Sequence, residues 1–247
     1  MTKSFTRLLD YSRSVGPLYG TEDFAIFLYA LIKMQRPERM LELGTGTGVC
    51  AFWAAQGMKE NGVGTVLTVD DGSHWEHLKT WKGLKPLLAR PDISYHDFLT
   101  GMAKRFSVED RIEFLSASMP PFPTFEVKVD ILFSDFEHHP SAILNLFRHF
   151  LPQMSSASSI FIDSASTFLP SYLLLERLIA QFNQGKVPRA MLQGLSEEKA
   201  AALMRHVQAH QFTLVHLTEA KQRDQNSTAW IKIEPIDVIP HPATRMR

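Results

Sequence analysis

Met40-Leu41-Glu42-Leu43-Gly44-Thr45-Gly46-Thr47-Gly48 is the stretch on which the reading of this chain turns. An apolar run of strand length enters three glycines at alternate positions, and a helical pattern starts just after. Glycines spaced this way let a backbone turn sharply and lie against a ligand. Glu42 stands at the end of the apolar run, where a buried acid needs a partner. The combination points to a nucleoside-type ligand at a strand-to-helix turn. The plain alternative is a glycine-rich turn with no ligand.

Spacing removes two rivals. A dinucleotide fingerprint needs G-x-G-x-x-G. Gly44 and Gly46 fit its first two positions, but Val49 occupies the third. A phosphate-cradling loop ends in Gly-Lys-Ser/Thr. Gly48 is followed by Val49 and Cys50 instead.

Outward from the turn, strand-length apolar runs alternate with helical patterns, the mark of a parallel sheet with crossover helices. Helix 22–35 has Phe24, Phe27, Leu28 and Leu31 on one face, and Pro37 follows it. Strands are expected at about 39–43, 64–69, 111–116, 129–134 and 159–162. Helices are expected at 48–59, 74–89, 96–106, 140–151, from Pro170 to Phe182, and from the cap Ser196 to about 209. Residues 183–195 read as a loop. Two closing strands, 211–217 and 227–233, flank the polar stretch Glu219–Asn226 and read as a hairpin. The expected fold class is α/β, with seven strands and about six helices.

Composition bounds the function. With 247 residues, 45% of them hydrophobic, the chain can build one α/β domain with a large core. Lys+Arg and Asp+Glu balance at 26 each, so charge gives no case for nucleic acid or an anionic membrane. The single cysteine, Cys50, excludes an intrachain disulfide and a cysteine-based zinc cluster, and reads as a small core residue. The N-terminus lacks an apolar core of signal-peptide type, and no run of about 18 apolar residues occurs. A soluble cytoplasmic protein is the expectation.

The pattern Glu42-x-Gly44-x-Gly46-x-Gly48 resembles the first motif of the Rossmann-like S-adenosylmethionine-dependent methyltransferases. Their sheet is seven-stranded, mostly parallel and closed by an antiparallel hairpin, sandwiched between helical layers. The resemblance covers roughly residues 20–235. It implies S-adenosyl-L-methionine as cofactor, with Gly44, Thr45, Gly46 and Gly48 against its methionine part. It also implies an S-adenosylmethionine-binding domain over 37–247, preceded by an N-terminal helical or lid segment over 1–36. Tyr11, Tyr19, Thr21 and Glu22 fall in that segment, with Gly16-Pro17 and Gly20 as turns.

In open α/β sheets ligands bind beyond the carboxyl ends of the strands. Asp70 ends the second strand, 26 residues past Gly44. Its two oxygens can accept both hydroxyl protons of a ribose. Asp71 beside it is a further cofactor candidate or a turn residue. In the resembling family the residues just after the third strand flank the adenine; here the small Ala117 and Ser118 leave room for the ring, and Trp75 could stack on it or pack in the core. The resemblance implies that Glu42 lies near the cofactor's amino group or the loop amides; the alternative is a buried acid that only orders the glycine loop by accepting its N–H bonds.

The fourth strand ends in Asp135-Phe136-Glu137-His138-His139-Pro140, and the fifth in Asp163-Ser164. Asp135 and Phe136 are cofactor candidates. Asp135 and Asp163 could share a hard cation such as Mg²⁺. This arrangement is similar to the catechol and caffeoyl-coenzyme A O-methyltransferases, whose metal ligands are an Asp after strand four and an Asp-Asn pair after strand five. Here the Asn position holds Ser164. Three residues past the first Asp that family places a catalytic Lys, and here His138 stands there. An imidazole is a natural base for a hydroxyl near neutral pH. His138 and Asp135 are therefore the catalytic candidates, and the bland reading of both His138 and His139 is helix capping.

The function expected is methyl transfer to a hydroxyl of a small molecule. N-methylation and a non-catalytic S-adenosylmethionine-binding protein are the alternatives. Phe136, Phe168, Tyr172 and Met191 suggest an apolar or aromatic acceptor. No membrane or nucleic-acid partner is expected, and a homodimer is left open.

Overall fold

The computed structural model describes residues 3–16, 22–125, 127–220 and 226–236. Tyr19, Thr21, Pro17 and Gly20 of the expected lid lie outside them. The elements form a seven-stranded sheet with strand order β3-β2-β1-β4-β5-β7-β6. The chain divides into two compact units, residues 1–123 and 124–247.

The first unit contains α1 (Lys3–Val15), α2 (Glu22–Gln35), β1 (Arg39–Leu43), α3 (Val49–Asn61), β2 (Thr65–Asp70), α4 (Trp75–Leu78), α5 (Tyr95–Phe106) and β3 (Ile112–Ser116). β1 pairs with β2 and β2 with β3, all parallel. Every residue of α3 from Val49 to Met58 is buried, as expected of a helix covered on all sides. α2 and α1 supply part of that cover. Phe5 meets the Trp53 ring edge-on at 4.7 Å, and the Trp53 indole N–H donates to Ser12 Oγ at 2.9 Å. Cys50 is a core residue, as its position suggested.

One expected helix is largely absent. Residues 74–89 hold only the four-residue α4, turns, and a 3-10 turn at Lys85–Leu87. Pro86 and Gly83 oppose a continuous helix. Gly83 also has a packing reason, since a Cβ there would stand 1.7 Å from the carbonyl oxygen of Ser14. α1, by contrast, is a full helix within the segment expected to be helical or lid-like.

The second unit contains β4 (Val129–Ser134), α6 (Pro140–Phe150), β5 (Met154–Asp163), α7 (Leu169–Phe182), α8 (Arg189–Leu192), α9 (Glu197–Ala209), β6 (His210–Thr218) and β7 (Ser227–Pro235). β4 and β5 run parallel, whereas β7 pairs antiparallel with both β5 and β6. The closing hairpin is therefore as expected. Its connection at 221–225, with Lys221 and Arg223, is outside the described residues. Phe182 anchors the helical side, meeting Phe147 at 5.9 Å and Phe212 at 5.2 Å.

β5 starts five residues earlier than the apolar run indicated. Ser155, Ser156, Ala157 and Ser158 are weak strand formers, but Met154 pairs with Val129 across β4, and Ser158 pairs with Ile233 across β7. Neighbouring strands override local preference here. The expected loop 183–195 likewise contains α8, whose Met191 is fully buried. Met191 packs in the core. Among the described residues there are seven strands, as expected, and nine α-helices, more than the pattern indicated.

Candidate functional site

In the first unit the glycine turn is held from three directions. Gly44, Gly46 and Gly48 all have positive φ, at 88°, 53° and 80°. Gly48 is the N-cap of α3, and a Cβ there would stand 2.7 Å from the Phe52 ring. No other residue supplies both the left-handed backbone and the missing volume.

Asp70 is the principal clasp of the turn. Its Oδ2 accepts from the backbone N–H of Thr45 at 2.9 Å and of Gly46 at 3.2 Å. Its Oδ1 accepts from the N–H of Gly72 at 2.8 Å. A carboxylate has about four lone-pair sites, so this acid retains acceptor capacity after binding the loop. Asp70 thus accepts loop N–H bonds of the kind weighed for Glu42.

Glu42 is only 1% exposed. It lies across from Thr68 in the parallel register, and the Thr68 hydroxyl donates to Oε2. Thr45 Oγ1 lies 2.5 Å from Thr68 Oγ1, so a chain of hydroxyls joins the buried acid to the turn. Burial pushes the Glu42 carboxyl up to about 8, against the Thr68 bond, which lowers it, and with the Asp70 charge, which adds to the rise. Near neutral pH Glu42 is therefore mostly protonated.

Two phenols complete the clasp. The Tyr95 hydroxyl donates to the carbonyl of Gly46 at 2.7 Å, and the Tyr11 hydroxyl to that of Thr47 at 2.5 Å. Burial raises both phenols above their ordinary range, and the Asp70 and Glu42 charges add to the rise at Tyr95. Tyr95 was not singled out in the sequence. It stands in the first turn of a helix 49 residues from Gly46, and no local pattern marks it. Trp75 proves to be core: it is 5% exposed, donates to the carbonyl of Ile93 at 2.9 Å, and packs against Phe98 at 4.9 Å.

The remaining first-unit candidates converge at the strand ends. The Ala117 N–H donates to the Asp70 carbonyl at 3.2 Å. The exposed Ser118 hydroxyl donates to Asp71 Oδ2 at 3.2 Å. Asp71 also accepts from the Ser73 N–H at 2.8 Å, and bonds from Ser73 hold its carboxyl below the usual range. Asp71 is thus a turn residue tied to the end of β3.

In the second unit, Ser134 pairs with Ile162 in the parallel register. Asp135 and Asp163 each directly follow a member of that pair, Asp163 as the last residue of β5. Asp135 and Phe136 are half-buried directly after β4. Asp163 is 6% exposed and already clasped. Its Oδ2 accepts from the Ser164 hydroxyl at 2.6 Å and its Oδ1 from the Thr228 hydroxyl at 3.4 Å. Among the described residues no group of three or more His, Cys, Asp or Glu is arranged to hold a metal ion.

The two histidines separate in role. His139 is the N-cap of α6 and accepts from the Ala142 N–H, so capping explains it. His138 does not cap. Its ring stacks on Phe168 at 5.3 Å and 9°, and the Ser171 hydroxyl donates to its carbonyl at 2.5 Å. Its Nδ1 is buried with no hydrogen-bond partner among the described residues. Desolvation pulls its pKa below the ordinary 6.5, while the Asp163 charge acts in the opposite direction. The lowered pKa favours the neutral imidazole, the form able to accept a proton.

Residues 41–165 match the model of a family described as a methyltransferase domain. By sequence, no curated protein is a significant match. Among solved structures, a cofactor-bound protein from MTB is 16% identical, with a TM-score of 0.55, 95% of this chain covered and 91% of that one. An O-methyltransferase from Streptomyces achromogenes in complex with SAM is 12% identical, with a TM-score of 0.52 and the same coverage, 95% and 91%. An O-methyltransferase from Bacillus cereus in complex with SAH is 13% identical, with a TM-score of 0.53 and coverage of 95% and 92%. At these identities the likeness is one of fold.

Proposed function

The chain belongs to the methyltransferase-domain family, and from that premise we propose that it transfers a methyl group from S-adenosylmethionine to a hydroxyl of a small-molecule acceptor. The observation that carries the donor is the glycine turn with its clasp. Asp70 orders the N–H groups of Thr45, Gly46 and Gly72 and keeps about one of its four lone-pair sites for a ribose hydroxyl. Gly44, Thr45, Gly46 and Gly48 receive the methionine part, with Glu42 behind them. Asp71, Ala117 and Ser118 border the adenine, and Asp135 and Phe136 are proposed cofactor contacts. Residues 1–36 act as cover, which the bond from Tyr11 to the turn supports, and 37–247 form the cofactor-binding domain. The solved O-methyltransferases of like fold that hold SAM or SAH add support.

When bound, the cofactor supplies an electrophilic methyl on a sulfonium. The chain's task is to align the acceptor oxygen, exclude water and take the acceptor's proton. His138 is the proposed base: its neutral imidazole accepts the hydroxyl proton as the new carbon–oxygen bond forms. The exposed Phe168 stacked on its ring suits an apolar or aromatic acceptor. No helix among the described residues is long and apolar enough to cross a membrane. A cytoplasmic location is part of the proposal and rests on composition.

Calorimetry with S-adenosylhomocysteine and with NAD tests the donor. The adenosyl ligand should bind and NAD should not, and the reverse result overturns the reading. Asp70→Ala should weaken binding by at least about 30-fold, the cost of a charged hydrogen-bonding partner lost from the site. Unchanged affinity removes Asp70 from the cradle.

A further inference from the structure

The acids beyond β4 and β5 invite a divalent cation, and the residues around them do not fit one. A hard cation such as Mg²⁺ takes oxygen ligands in near-octahedral geometry. Asp135 and Asp163, each directly after a member of the Ser134–Ile162 pair, offer two at most. The next residue, Ser164, is fully buried, and its hydroxyl donates to Asp163 Oδ2. A neutral hydroxyl that spends its proton on the neighbouring carboxylate adds no strong ligand. Thr228, opposite Asp163 in the β5–β7 register, directs its own hydroxyl at Oδ1. Both oxygens of Asp163 thus accept protein hydroxyls, which already stabilise the charge a cation would otherwise neutralise.

We propose that Ser164 makes this centre cation-independent: with Thr228 it converts Asp163 into a hydroxyl-clasped anion, so acceptor activation rests on side chains of the chain alone. The proposal deepens the methyl-transfer reading and rests on it. Ser164 itself sits at φ 59°, in the left-handed region. Asn adopts that region more readily than most residues, and its carbonyl oxygen is a hard-cation ligand. The backbone at 164 would therefore accept a ligating residue, and the side chain present there is what withholds one.

Electron paramagnetic resonance with Mn²⁺ as probe reads this without any acceptor. Wild-type protein saturated with S-adenosylhomocysteine should leave Mn²⁺ free up to about 1 mM, a range typical of weak extracellular-type sites. Ser164→Asn should tighten Mn²⁺ by at least about tenfold, the scale of a ligand-shell change, and adding Asp135→Asn should abolish the gain. Ser164→Ala, which removes the clasp without supplying a ligand, should bind no Mn²⁺. Submillimolar binding by the wild type overturns the proposal whether or not the variants fold. A folded Ser164→Asn protein that binds no tighter overturns the role of Ser164. Calorimetry of S-adenosylhomocysteine on the same samples keeps the two readings apart. Loss of that binding in the wild type sinks the donor assignment and leaves the Mn²⁺ result standing.

Discussion

Replacing Glu42 with Gln should remove a pH dependence of stability that burial builds into the wild type. Folding moves this carboxyl from 4.5 up to about 8. The folded state therefore holds the proton more tightly than the unfolded chain across that interval. The stabilisation is fully present below the unfolded pKa and is lost as pH rises through the folded one. Each pH unit inside the window is worth about 1.4 kcal/mol, so the whole window amounts to roughly 4–5 kcal/mol. Gln keeps the shape and cannot ionise. Its amide can donate to Thr68 Oγ1, reversing the hydroxyl chain that runs from Thr45 through Thr68 to the acid. Urea unfolding of both proteins between about pH 5.5 and about pH 8.5 measures the difference. The wild type should fall relative to Glu42→Gln by about 1 kcal/mol per pH unit and level off above pH 8. Stability curves that run parallel across this range would falsify the assignment of a buried, protonated Glu42.

Three further outcomes follow from the geometry. Gly48→Ala combines a φ of +80° with a Cβ 2.7 Å from the Phe52 ring, so urea unfolding should show a loss of roughly 2–4 kcal/mol. A variant as stable as the wild type contradicts the packing account. Tyr95→Phe removes one bond to the Gly46 carbonyl and should cost about 1 kcal/mol of stability, with weaker S-adenosylhomocysteine binding by calorimetry. No change in either would show that the turn does not depend on this phenol. With an accepted hydroxyl substrate, His138→Gln should slow turnover by about 10²–10⁴-fold. The wild-type kcat/KM profile should have an acid limb with its midpoint below the ordinary 6.5, since desolvation disfavours the imidazolium. An undiminished rate, or the same acid limb in the variant, removes His138 as the base.

The legibility of the site differs between the two units for a physical reason. The glycine spacing is a local demand of the backbone, so Gly44, Gly46 and Gly48 could be read directly, and all three have the positive φ that motivates glycine. Strand ends are also local, so Asp70, Asp135 and Asp163 were each located by the apolar runs before them. Which donors each acid meets was not legible. Thr45, Gly46 and Gly72 converge on Asp70 through a turn and a register. Glu42 meets Thr68 because β1 and β2 pair in that register and no other. His138 and His139 are adjacent and chemically alike, yet one caps α6 and the other stacks on Phe168. Nothing in their order distinguishes them.

By itself the sequence determined the α/β fold, the strand-to-helix turn and the positions at which acids end the strands. These follow from hydrophobic periodicity and from glycine's backbone freedom, which act over a few residues. The tertiary structure alone decided the state of those acids. It buried Glu42 until it holds its proton, gave Asp70 the loop to order, and wrapped Asp163 in two hydroxyls. A carboxyl's charge, and what it can bind, depend on desolvation and on donors brought from distant parts of the chain, which only folding assembles.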